Sequence, residues 1–102
     1  MASHELAAAQ DQMVLLGRKS ARERVVSFIL MLFNSATRHG RPGDPVFLAM
    51  SRSDIADYLG LTTETVSRTF TSLKKQGLIE LLDEKRIRLS KMSVLREIAE
   101  GF

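Results

Sequence analysis

Ala56, Gly60 and Val66 lie four and then six residues apart between two amphipathic segments, and this spacing constrains the fold more than any other feature of the chain. A small residue lets two helices cross closely, a glycine supplies the positive φ of a tight turn, and a β-branched residue anchors the second helix. Ser51 opens the first segment with an S-x-x-D cap that ends at Asp54. Ile55, Ala56 and Leu59 give that segment one apolar side, and Gly60 stops it. Thr62 is placed to cap the next segment, which is expected to be helical over 62–76. Lys74 and Lys75 stand in its last turn and Gly77 beyond it, where cations and a left-handed glycine are favoured.

Directly afterwards, "LIELLDEKRIRL" at 78–89 alternates Ile79 and Leu81 with Glu80, and Ile87 and Leu89 with Arg86 and Arg88, around a polar "DEK" turn. This is a hairpin pattern. Two short helices joined through a glycine and followed by a hairpin have the order of a winged helix-turn-helix, in which the second helix lies in the DNA major groove and the first crosses the backbone. The expected fold is therefore mainly α with a small β-hairpin.

The rest of the chain supplies a core for that pair. "SARE" at 20–23 has capping-box spacing, so a helix should start at Ser20 and run through the apolar stretch "VVSFILMLF" to about Thr37. That stretch, interrupted by Ser27, falls well short of the roughly 20 residues of a membrane span and reads as the central core helix. "RHGRPGDP" at 38–45 packs two glycines and two prolines into eight positions and should form an exposed loop, with a short strand at 46–50. "MSVLREIAEGF" closes the chain as a helix whose Val94, Leu95 and Ile98 form a packing stripe. Near the start, Leu6, Ala9, Met13 and Leu16 make an a/d seam of about two heptads. Such a seam fits either a helix packed on its own domain or the tail of a dimerisation coiled coil.

At 102 residues the chain is one domain's worth of sequence. Fifteen Lys and Arg against twelve Asp and Glu give a net charge of +3, which suits a polyanionic partner without requiring one. With no cysteine there is no disulfide, thiolate zinc site or cysteine-ligated cluster, in keeping with a reducing cytoplasm. The N-terminal residues lack a basic region leading into an apolar one, so no secretion signal is expected. His4 and His39 have no other ligands at metal spacing and read as solvated, so no metal or cofactor is expected. No nucleophile turn or paired carboxylate site is visible either, which argues against an enzyme.

On the second helix, Glu64, Ser67, Arg68, Thr71 and Lys75 fall within an arc of about 100°, opposite Val66, Phe70 and Leu73. A mixed polar face is ordinary on any solvated helix. Near the N-terminal end of a recognition helix the same residues acquire chemistry. Arg68 can bond guanine O6 and N7 bidentately, Glu64 can accept from cytosine N4, and Ser67 suits a smaller contact. An acid would be repelled by phosphate, so Glu64 makes sense there as a base reader or as an orienter of Arg68. Backbone contacts are then expected from Arg52, Thr62, Thr63, Thr71, Lys74, Lys75 and the wing's Lys85 and Arg86, with Arg52 and Thr62 the strongest candidates.

"SRSDIADYLGLTTETVSRTFTSLKKQGLIE" resembles the DNA-binding domain of the CRP/FNR transcription regulators, and the likeness covers most of residues 18–100. Within it, "ETVSR" matches the E-x-x-S-R recognition motif of the FNR and FixK-like branch, which implies Glu64, Ser67 and Arg68 as base-reading residues and a TTGA-type inverted repeat as operator. A glycine at position 67 would have implied the cyclic-AMP branch. The resemblance further implies that residues 1–17 are the end of the family's dimerisation helix and 18–102 the winged domain. It implies a homodimer in the full-length protein, a cytoplasmic location, and a contact with RNA polymerase through the loop at 37–45. The family's sensor domain is absent from this sequence, so the expectation is a piece of a regulator without its sensor. The competing expectation is a winged helix used as a protein-interaction or dimerisation module, without specific DNA binding.

Overall fold

The computed structural model describes residues 19–101. Helix α1 spans Ala21–Arg38, strand β1 Val46–Phe47, helix α2 Arg52–Leu59, helix α3 Thr63–Lys75, strand β2 Ile79–Leu81, strand β3 Arg86–Leu89 and helix α4 Met92–Glu100. The a/d seam at 5–16 and His4 lie outside the described residues.

Helix α1 begins where Ser20 and Glu23 satisfy each other's ends. The Glu23 amide donates to the Ser20 hydroxyl at 3.1 Å, and the Ser20 amide donates to the Glu23 carboxylate at 2.7 Å. This exchange satisfies amides that the first helical turn leaves without partners. It also holds the Glu23 carboxyl below its usual range, chiefly through the bond from the Ser20 amide. Val25, Val26, Phe28 and Ile29 are buried along one side of α1. Helix α4 lies against α1 and buries Leu95, and the Lys19 ammonium ties the two together by donating to the Ala99 carbonyl at 3.0 Å.

The helix pair forms as its spacing requires. The Ser51 hydroxyl accepts from the Asp54 amide, and Gly60 ends α2 at φ 71, a left-handed conformation that a side chain would strain. Ala56 and Val66 are buried at the crossing. The Arg24 guanidinium on α1 donates to the Leu59 carbonyl at 3.1 Å, which fastens the end of α2 to the central helix. The Thr62 hydroxyl accepts from the Thr65 amide at 3.1 Å and opens α3; Gln76 caps its other end, so 62 and 76 flank the helix as caps.

Two findings go beyond the sequence reading. The expected hairpin is two strands of a three-stranded antiparallel sheet, in the order β1, β3, β2. Ile79 pairs with Leu89 and Glu80 with Arg88 on one side of β3, while Val46 pairs with Ile87 on the other. Strand β1 is also shorter than the expected 46–50. The Leu48 amide still donates to the Lys85 carbonyl at 2.6 Å, but the chain then leaves the sheet to put Ser51 at the start of α2.

The loop at 38–45 is exposed as expected at most positions, with Gly43 the buried exception. A Cβ there would meet the Phe33 ring at 2.6 Å, so glycine is needed for close approach. Asp44 then reaches back so that its carboxylate accepts the Leu89 amide at 2.9 Å. A side chain thus takes the place of a strand partner on the central strand β3, just beyond the point where β1 begins.

Candidate nucleic-acid interface

Helix α3 buries Val66, Thr69, Phe70 and Leu73 and leaves its opposite side in water. Thr69 is the polar member of the inner set, and its hydroxyl is satisfied by donating to the Thr65 carbonyl at 2.7 Å. On the outer side Glu64, Ser67, Arg68, Thr71 and Lys75 line one shallow surface groove together with Ser72 and Gln76. The sequence reading brought together five of these seven residues. Ser72 and Gln76 complete the face, and the signal for them was present in the same 3.6-residue period.

Glu64 and Arg68 form an ion pair one helical turn apart, with side chains 70% and 78% exposed. At that exposure the pair stabilises the helix by only about 0.3–0.5 kcal/mol. Its consequence is a bias in orientation: the carboxylate favours arginine rotamers that keep the guanidinium beside it. Thr71 directs its hydroxyl inward to the Ser67 carbonyl at 3.1 Å.

The residues expected to surround this face fall into different situations. Arg52 is half-buried, with its guanidinium stacked on the Phe70 ring 4.3 Å from the centroid. Burial lowers its pKa, and the charge of Glu84 works in the opposite direction; an arginine so placed stays protonated. Thr62 spends its hydroxyl within the cap, donating to the Thr65 hydroxyl at 2.8 Å. What Thr62 offers an anion is therefore its backbone amide rather than a side-chain donor. Thr63, Lys74, Lys75 and Lys85 are exposed.

Arg86 is engaged inside the wing, its Nε donating to Asp83 Oδ2 at 2.8 Å. The other Asp83 oxygen accepts the Lys85 and Arg86 amides, each at 2.8 Å. These bonds hold the Asp83 carboxyl below its usual range, with the Lys85 amide the largest cause and the Arg86 side chain next. The sequence reading took "DEK" as a polar turn and missed that Asp83 builds it. An aspartate bonding amides two and three residues on was the available signal. Among the described residues no group of three or more His, Cys, Asp and Glu stands ready to hold a metal, and no helix is long and apolar enough to cross a membrane.

A helix pair turned at Gly60, an exposed polar second helix and an antiparallel sheet behind it define the winged helix-turn-helix class. The chain belongs to the Crp-like helix-turn-helix domain family, whose model matches residues 23–98. It is 53% identical over 95 residues to the nitrogen fixation regulation protein FixK of Azorhizobium caulinodans, covering 92% of this chain and 38% of that protein. It is 38% identical over 103 residues to the transcriptional activator protein FnrL of Cereibacter sphaeroides, covering 97% of this chain and 42% of that one. The structure of FixK2 from Bradyrhizobium japonicum superposes with a TM-score of 0.75 at 41% identity, over 92% of this chain and 46% of that chain. The chain therefore spans less than half the length of these relatives. The fold class and the FNR and FixK-like resemblance read from the sequence are both borne out.

Proposed function

We propose that this chain is the DNA-binding part of a bacterial transcription regulator of the CRP/FNR type, with α3 entering the major groove of a TTGA-type half-site. The observation that carries the reading is the division of α3. Its apolar side is locked into the core by Val66, Phe70 and Leu73, which leaves a rigid outer face with an oriented arginine near its N-terminal end. A helix held this way presents donors and acceptors to base edges at little cost in ordering them.

In this reading Arg68 bonds a guanine, Glu64 both aims Arg68 and accepts from a cytosine, and Ser67 completes the set. Arg52, Lys75, Lys85 and the first-turn amides of Thr62 and Thr63 hold phosphates. Thr71 serves through its methyl side, and Arg86 contributes mainly by shaping the wing. Residues 1–17 would be the end of a dimerisation helix and 18–102 the DNA-binding domain. The regulator would act in the cytoplasm as a homodimer on an inverted repeat, with RNA polymerase met through the loop at 37–45.

The test is a binding titration of the chain on duplexes that carry or lack a TTGA-type palindrome. The reading expects clear preference for the palindrome and a binding constant that falls steeply with salt. Equal affinity for both duplexes defeats it. Strong self-association with no salt-dependent binding would instead favour a protein-interaction module.

A further inference from the structure

A cleft between the start of α2 and the wing is lined by Ala49, Met50, Ser51, Arg52, Glu84 and Lys85. It sets two cations beside one exposed acid, on the side of the molecule that the proposed function assigns to phosphates. Arg52 holds its guanidinium over the Phe70 ring, 4.3 Å from the centroid, and lines the cleft from there. The acid has no role in building the wing. Asp83 does that alone, taking the Lys85 amide, the Arg86 amide and the Arg86 side chain. Glu84 is exposed, and its charge is felt at Arg52, where it favours the protonated guanidinium.

We propose that Glu84 is a positioning residue that stands in for a DNA phosphate: in the free protein its carboxylate faces Arg52 across the cleft, and a backbone phosphate must displace it on binding. The inference rests on the DNA-binding reading and deepens it. An anion already present keeps Arg52 extended over Phe70 rather than turned into solvent, so the cation is in place when DNA arrives. The same carboxylate competes with any incoming phosphate for the Arg52 guanidinium, whatever the base sequence. Glu84 therefore lowers affinity for operator and bulk DNA alike, which limits the phosphate-driven binding that would hold such a protein on non-specific sites.

The experiment is a double-mutant cycle on the 102-residue chain, with E84Q, R52Q and the double variant titrated at low salt against a palindromic and a scrambled duplex. E84Q is expected to tighten binding of both duplexes about threefold, the scale of one exposed charge pair. In the R52Q background the same substitution should bring no gain. An equal gain in both backgrounds would mean that Glu84 merely repels phosphate, and no gain in either would mean that it does nothing at the cleft; each result overturns the proposal. A wild-type chain that binds neither duplex defeats the functional reading instead. The Arg52 Nε–H resonance of the DNA-free protein then decides the matter, and it should move on E84Q and stay with E80Q, since Glu80 sits on β2 opposite Arg88. A resonance indifferent to E84Q overturns the contact itself.

Discussion

Two exposed carboxylate–guanidinium pairs on this domain do different work. Glu64 and Arg68 are four residues apart on α3, where the backbone already satisfies itself through helical bonds. Asp83 and Arg86 are three apart, from the turn to the first residue of β3, and there the carboxylate must also accept two amides. The helical acid therefore aims a side chain, and the wing acid makes a backbone. Similar surface chemistry joins two side chains in one place and builds local structure in the other, and what differs is whether the backbone beneath has its own partners.

The largest effect expected is on the scaffold beneath both. Phe70 is buried under α3 and carries the Arg52 guanidinium, so F70A should destabilise the fold by about 3–5 kcal/mol in denaturant unfolding. A near-neutral result would mean that α3 is not held by its apolar side. Next, R68A should cost no more in unfolding than the about 0.3–0.5 kcal/mol of its pair with Glu64 and weaken operator binding by about 1–3 kcal/mol, with relaxed preference at the guanine. A uniform loss on all sequences would move Arg68 from base reading to backbone contact.

The wing comes third. D83A should leave the global transition in place while the Lys85 and Arg86 amides lose protection in hydrogen exchange, because their acceptor is gone. The same protection depends on pH. The folded Asp83 carboxyl lies below its ordinary value, so its bonds contribute at neutral pH and are lost as pH falls through that depressed value. In D83N this acid-dependent loss should vanish. The smallest effect is that of E64Q on stability, about 0.3–0.5 kcal/mol, while its effect on operator preference exceeds that amount. Equal effects of E64Q and D83A on wing amide protection would dissolve the distinction between the two acids.

The legible part of this protein was local. Ser20, Ser51 and Thr62 each cap a helix, and their partners stand three residues away, so spacing alone predicted them. Gly60 and the stripe of Val66, Phe70 and Leu73 belong to the same short-range grammar, as does the face of Glu64, Ser67 and Arg68. Asp83 was equally local yet went unread, because a turn aspartate leaves no periodic mark.

Other features had no signal within a few residues. Strand β1 joins β3 across about forty positions, the Asp44 carboxylate accepts the Leu89 amide, and Gly43 gives way to the Phe33 ring. Arg52 could be named as a cation from the sequence, but that it lies over Phe70 and shares a cleft with Glu84 follows only from how α2, α3 and the wing meet. By itself the sequence determined where helices start and stop and which side of each is apolar, since those depend on hydrogen bonds and periodicities inside a few turns. Tertiary structure decided the third strand and the surroundings of Arg52, because contacts between distant segments are set by mutual packing and leave no repeat for either segment to show alone.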